Sequence, residues 1–137
     1  MDIDELHAIS KPLIEAWNEQ DVEQVVACYT DDLIYVDPNT RGAVEGPDAF
    51  GRYLTKLFSR WQMHWSVKET FPLADTDGAA GLWRASFRVP GGQESVEVEG
   101  MDLVLIEDGR VKRNEVYFDR AALAPLMADA LGTQAGG

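Results

Sequence analysis

The chain has 137 residues, enough for one domain with a core of its own and no need of disulfide or metal staples. Hydrophobic residues make up 45% and charged residues 26%, which excludes an intrinsically disordered chain. A formal net charge of -12 argues against the basic surface that nucleic acid or an anionic membrane requires, so neither is an expected partner.

Met1-Asp2-Ile3-Asp4-Glu5 carries no basic or apolar segment of the signal-peptide kind, and the cytoplasm is the expected compartment. No apolar run approaches membrane-spanning length. Leu6, Ile9, Leu13 and Trp17 recur at helical spacing and predict a first helix with one apolar face. Pro12 lies inside it, so either a kink or a fresh start capped by Ser10 is expected. Asn18-Glu19-Gln20-Asp21 breaks the pattern, and Asp21 then caps a short helix through Val22, Val25, Val26 and Tyr29. Cys28, the one cysteine, has no internal partner and reads as a buried structural thiol.

Leu33-Ile34-Tyr35-Val36 is an apolar strand that ends at Asp37 and Pro38, and Asn39 to Gly46 reads as a loop. Pro47 suits the first turn of a helix, and Asp48 suits the positive end of its dipole. Phe50, Tyr53, Leu54, Leu57, Phe58 and Trp61 give that helix a broad apolar face. From Met63 the period drops to two. Strands are predicted at His64–Phe71, Gly81–Val89, Ser95–Ile106 and Val111–Asp119, with turns at Asp75–Gly78, Pro90–Gln93 and Asp108–Gly109. Trp83, Ala85, Phe87 and Val89 share one face of the second. A closing helix, Arg120–Leu131, precedes a flexible tail over residues 132–137. Helices first and an antiparallel meander afterwards predict an α+β fold, a single domain over residues 1–131.

Few motifs carry chemistry. Asp75-Thr76-Asp77-Gly78 starts like a calcium loop but lacks the later ligands, and His7 and His64 are too few and too separated for zinc. There is no phosphate loop, dinucleotide fingerprint or nucleophile elbow, so no metal and no cofactor is expected. Asp37 remains. An acid closing an apolar strand that lines a cavity is desolvated and becomes a better base. The ordinary alternative is a carboxylate that bonds its own turn.

In this order of elements, Trp17-Asn18-Glu19-Gln20-Asp21, Tyr29-Thr30-Asp31-Asp32, Val36-Asp37-Pro38, Glu45-Gly46-Pro47-Asp48-Ala49-Phe50, Asp108-Gly109-Arg110-Val111 and Tyr117-Phe118-Asp119 follow one another along nearly the whole chain. This pattern resembles the nuclear-transport-factor-2-like superfamily, in particular its SnoaL-like and ketosteroid-isomerase-like members. The resemblance implies a cone-shaped α+β barrel, a curved mixed sheet wrapped around the N-terminal helices, with a pocket between them. It also implies a homodimer through the outer sheet face.

Carried over residue by residue, the resemblance puts Asp37 at the general base of ketosteroid isomerase. The tyrosine of that enzyme's oxyanion hole falls at Leu13, and its protonated acid falls near Met101, with Asp102 on the opposite strand face. The aspartate-arginine-aspartate set of limonene epoxide hydrolase is also incomplete. Arg84 fits the arginine, but Ser86 and Val116 stand at the positions to compare with its acids. Asn114, Val116 and Phe118 of the last strand are implied to face the pocket. The expected function is therefore cofactor-independent proton transfer on a small apolar or aromatic molecule, of the isomerase, cyclase or dehydratase type. Asp37 is the expected base, and Tyr53, Tyr29 and Asn114 are candidate donors. Leu13, Trp17, Tyr29, Trp61, Trp83, Met101, Val116 and Phe118 are the expected ligand contacts. Trp17, Trp61, Trp65 and Trp83 serve equally as core. A non-catalytic binding or dimerisation module and an epoxide hydrolase are the alternatives.

Overall fold

The computed structural model describes residues 1–127. Helix α1 (Ile3–Glu19) starts where Asp2 accepts a hydrogen bond from the Glu5 amide at 2.8 Å. It runs past Pro12 as one helix, and Ser10 starts no new one: its hydroxyl donates to the His7 carbonyl. Gln20 ends α1 in the left-handed region at φ 53°, and Asp21 caps α2 (Val22–Ala27) by accepting from the Gln24 amide. The helix expected through Tyr29 stops two residues earlier. Tyr29 instead pairs with Val111 and opens strand β1 (Tyr29–Val36). A parallel strand supplied by the far end of the chain decides that boundary, which local periodicity does not register.

Strand β2 (Val44–Glu45) lies inside the expected loop and pairs with Ile34 and Tyr35. Helix α3 (Pro47–Arg60) follows Gly46, whose φ of 83° lets the chain turn into it. The meander is β3 (Gln62–Pro72), β4 (Gly78–Arg88), β5 (Ser95–Glu107) and β6 (Arg110–Tyr117). The six-stranded sheet is ordered β2-β1-β6-β5-β4-β3, and all its pairs are antiparallel except β1 with β6. It is a curved, mixed, open sheet, with β2 and β3 as its edges. A short 3-10 turn over Arg120–Leu123 leads into helical backbone at 124–127. The rest of the expected closing helix and the tail lie outside the described residues.

The concave face of the sheet presents Trp83, Ala85, Phe87, Val98 and Val116 to Leu13, Ala16 and Trp17 of α1, all in one buried cluster with Phe50, Leu54 and Leu57 of α3. The Asn18-Glu19-Gln20 segment fastens α1 to the free edge of the sheet. Asn18 donates to the Trp65 carbonyl and accepts from the Trp65 amide, at 3.1 and 2.7 Å. Gln20 accepts from the Met63 amide and donates to the Trp61 carbonyl, at 2.8 and 3.1 Å. Two side-chain amides thus stand in for a neighbouring strand. Among the described residues, no helix is long and apolar enough to cross a membrane.

Candidate functional site

Two hollows flank the inner face of β6. A shallow surface cleft of about 380 Å³ lies between Val36-Asp37-Pro38 and Val116-Tyr117-Phe118. A smaller cavity of about 70 Å³ lies between α1 and the sheet, walled by Leu13, Ile14, Trp17, Tyr35, Trp65, Val67, Trp83 and Val116, with Gly81, Leu82, Asp102 and Asn114 completing it. Val116 borders both hollows.

Asp37 stands just past the end of β1, and only 7% of its surface is exposed. Its Oδ1 accepts from the amides of Asn39 and Thr40, at 2.7 and 3.1 Å. Its Oδ2 accepts from the hydroxyls of Tyr35 and Tyr53, at 2.8 and 2.5 Å. The Thr40 hydroxyl closes the turn by accepting from the Asp37 amide and donating to its carbonyl. Burial first, and the Asp37 charge second, push both phenols above the ordinary tyrosine range and keep them protonated as donors. A carboxylate offers about four lone-pair positions. All four are occupied from within the protein.

The other acid is freer. Strand β5 pairs Asp102 with Gly81 on one side and Val116 on the other. Val98, Gly100 and Asp102 therefore point inward, and Met101 points out, 42% exposed beside Tyr117 at 54%. The expected inward position at Met101 is thus corrected by one residue, a slip that inverts the whole strand. The register is locked by size. Trp83 lies over Gly100, where an added Cβ would sit 2.5 Å from its ring and 2.5 Å from the Tyr117 carbonyl.

Asp102 is partly buried, and its Oδ2 accepts from Asn114 Nδ2 at 3.1 Å. Asn114 has no choice of orientation. Its Oδ1 accepts from the Tyr29 hydroxyl at 2.9 Å, that hydroxyl accepts from Trp17 Nε1 at 3.3 Å, and the second Nδ2 hydrogen serves the Leu103 carbonyl at 3.2 Å. Burial pushes the Asp102 carboxyl up from 3.8 to about 6, against the smaller opposing effect of the Asn114 bond. Among the described residues no side-chain donor reaches Oδ1. Gly81 leaves that oxygen uncovered, since a Cβ there would approach it to 3.0 Å.

The structure places the expected residues unevenly. Leu13, Trp17, Trp83 and Val116 wall the inner cavity, as does Asn114, whose donors are already spent. Tyr29 stands behind Asn114, and Tyr53 belongs to the Asp37 cluster. Trp61 packs edge-on against Phe87 and lines neither hollow. Phe118 borders the surface cleft and packs on Trp83 and Phe87. Arg84 faces outward, paired with Glu97 at 2.8 Å and Glu99 at 3.2 Å, away from any epoxide-opening water in the cavity. Asp102 and Tyr35 are the residues that strand alternation by itself did not assign to the site. Gly81 opposite Asp102 and Gly100 opposite Trp83, one glycine on each of β4 and β5, are the sequence signal that marks the inner face there.

The sequence signature of the SnoaL-like domain matches residues 11–114. The chain belongs to the SnoaL-like domain family. No curated protein matches the sequence. The fold is that of the nuclear-transport-factor-2-like and ketosteroid-isomerase-like structures. It is similar to PrhC from Penicillium brasilianum NBRC 6234, at 16% identity over 96% of this chain and 91% of that one, TM-score 0.81. It is similar to a protein with a ketosteroid isomerase-like fold from Catenulispora acidiphila DSM 44928, solved with trimethylamine, at 12% identity over 86% and 90%, TM-score 0.76. RV0760c from Mycobacterium tuberculosis, solved with estradiol-17beta-hemisuccinate, is 18% identical over 84% and 94%, TM-score 0.72.

Proposed function

We propose that this SnoaL-like protein binds a small organic molecule in the inner cavity and that Asp102 is the group that moves a proton on it. One observation carries the reading: among the described residues, Asp102 Oδ1 is the side-chain acceptor left without a donor in a mostly apolar hollow. A carboxyl pushed up to about 6 gives and takes a proton near neutral pH, which suits cofactor-independent isomerisation, cyclisation or dehydration. Asn114 acts as a positioning residue, holding Oδ2 so that Oδ1 faces the ligand. Asp37, the base expected from the sequence, serves in this reading as the clamp of the 37–40 turn, because its lone pairs are taken. The solved complexes of distant relatives with small organic molecules support ligand binding.

A panel of compact carbonyl compounds and epoxides that also carry an amine or hydroxyl donor, tested with wild type, Asp102→Asn and Asp37→Asn, decides among the readings. Turnover lost in Asp102→Asn and kept in folded Asp37→Asn is the expected result. The reverse pattern returns the base to Asp37, and binding without turnover leaves a non-catalytic binding module.

The outer face of the sheet is the proposed homodimer surface, with Met101 and Tyr117 as adjacent exposed apolar side chains between the Arg84–Glu97 and Arg113–Glu115 ion pairs. A monomer by light scattering at micromolar concentration refutes it.

A further inference from the structure

We propose that the inner cavity is built for a compact organic ammonium ion, with the charge taken by Asp102 Oδ1 and by the indole walls. The inference deepens the reading above and rests on its claim that the cavity takes a ligand. The polar inventory of the walls carries it. The Tyr35 hydroxyl is given to Asp37, and both Asn114 amide hydrogens are given to Asp102 and Leu103. What a guest meets is an acceptor oxygen, so the guest must donate. A ketone, carboxylate or other acceptor-only molecule finds no free donor except Trp65 Nε1, a buried and unpartnered N–H that is closed off from solvent.

Charge narrows the class further. Among the described residues no Lys, Arg or His lines the cavity, so an ionised Asp102 faces it with no counter-ion from those residues. An uncompensated carboxylate in an apolar site is costly, and a cation removes that cost. Trp17, Trp65 and Trp83 surround the same space, and indole faces are the best aromatic surface for a desolvated cation. The net charge of -12 favours the approach of cations over anions. Size adds a constraint. At about 70 Å³ the cavity is half of the ~150 Å³ that accepts a benzene ring, so the part of the guest held inside has only a few heavy atoms.

The titratable neighbours of Asp102 are few. Tyr29 of β1, with its phenol raised by burial, donates to Asn114, and Tyr35 of β1 is raised likewise. α1, β3, β4 and β6 add no ionisable side chain to the wall.

Trimethylammonium chloride is the probe, with tert-butanol as a neutral donor of the same branched shape and acetone as an acceptor. Binding is read by calorimetry and by tryptophan fluorescence at pH 7.5 on wild type and Asp102→Asn. The expected result is at least a tenfold preference for the ammonium ion that vanishes in Asp102→Asn. Wild type at pH 5, with Asp102 protonated, gives a mutation-free check: ammonium binding weakens about tenfold while tert-butanol is unchanged. Equal binding of tert-butanol or acetone, or a cation preference that survives both Asp102→Asn and pH 5, overturns the ammonium assignment and leaves the binding cavity standing. Binding of none of the three overturns both.

Discussion

Asp102 gives the sharpest test of the electrostatics, because a raised carboxyl makes stability fall as pH rises. Between 3.8 and about 6 the folded protein keeps a proton that the unfolded chain has released. Protons bound are then fewer in the unfolded state, so unfolding free energy declines across that window and levels off above it. A shift from 3.8 to about 6 corresponds to at most about 3 kcal/mol. Contact with the small cavity reduces the figure, since water there screens the charge. Asp102→Asn keeps the shape and the acceptor for Asn114 but cannot ionise. Urea unfolding followed by tryptophan fluorescence, at half-unit steps from pH 4 to pH 8, yields the difference between the two proteins. That difference removes the contribution of every other carboxylate. The variant should gain on wild type by 2–3 kcal/mol, or about that, between pH 4 and pH 7, with the change centred between 4 and 6. Parallel profiles would show that Asp102 titrates alike in the folded and unfolded states, and the argument for a desolvated acid would fail.

Two further outcomes follow from the geometry. Tyr53→Phe removes one of the two phenol donors to Asp37 and should destabilise the protein by about 1–2 kcal/mol while speeding amide exchange at Thr40. Ligand binding in the inner cavity should be unchanged, and its loss would bring Asp37 back into the site. Gly100→Ala forces a methyl group against the Trp83 ring and the Tyr117 carbonyl, so unfolding free energy should drop by about 1–3 kcal/mol. An unshifted melting temperature would refute the claim that Gly100 sets the packing of Trp83.

Much of the architecture was legible along the chain, because it rests on short-range signals. The helical spacing of Leu6, Leu13 and Trp17, the cap at Asp21, Pro47 at the start of α3 and the two-residue period after Met63 are each local. The family motifs added the order in which these pieces assemble, confirmed by the SnoaL-like match over residues 11–114. Asp37 was legible as an unusual acid for the same reason, since an aspartate closing an apolar strand before a proline can be seen without any fold.

Its full set of partners was not legible, although Tyr53 was among the expected donors. Tyr53 is 16 residues away on α3, and only the packing of that helix brings its hydroxyl to Asp37. Asp102 was hidden by strand parity: the alternation of β5 is the same pattern in either orientation, and pairing with Gly81 and Val116 selects one. The Trp17–Tyr29–Asn114–Asp102 chain joins α1, β1, β6 and β5 across 85 residues between Tyr29 and Asn114. Residue type and local period established a SnoaL-like α+β domain with acids of interest. Which acid is free for a ligand was decided by the tertiary structure, since a lone pair is committed or uncommitted only once every distant donor has been placed.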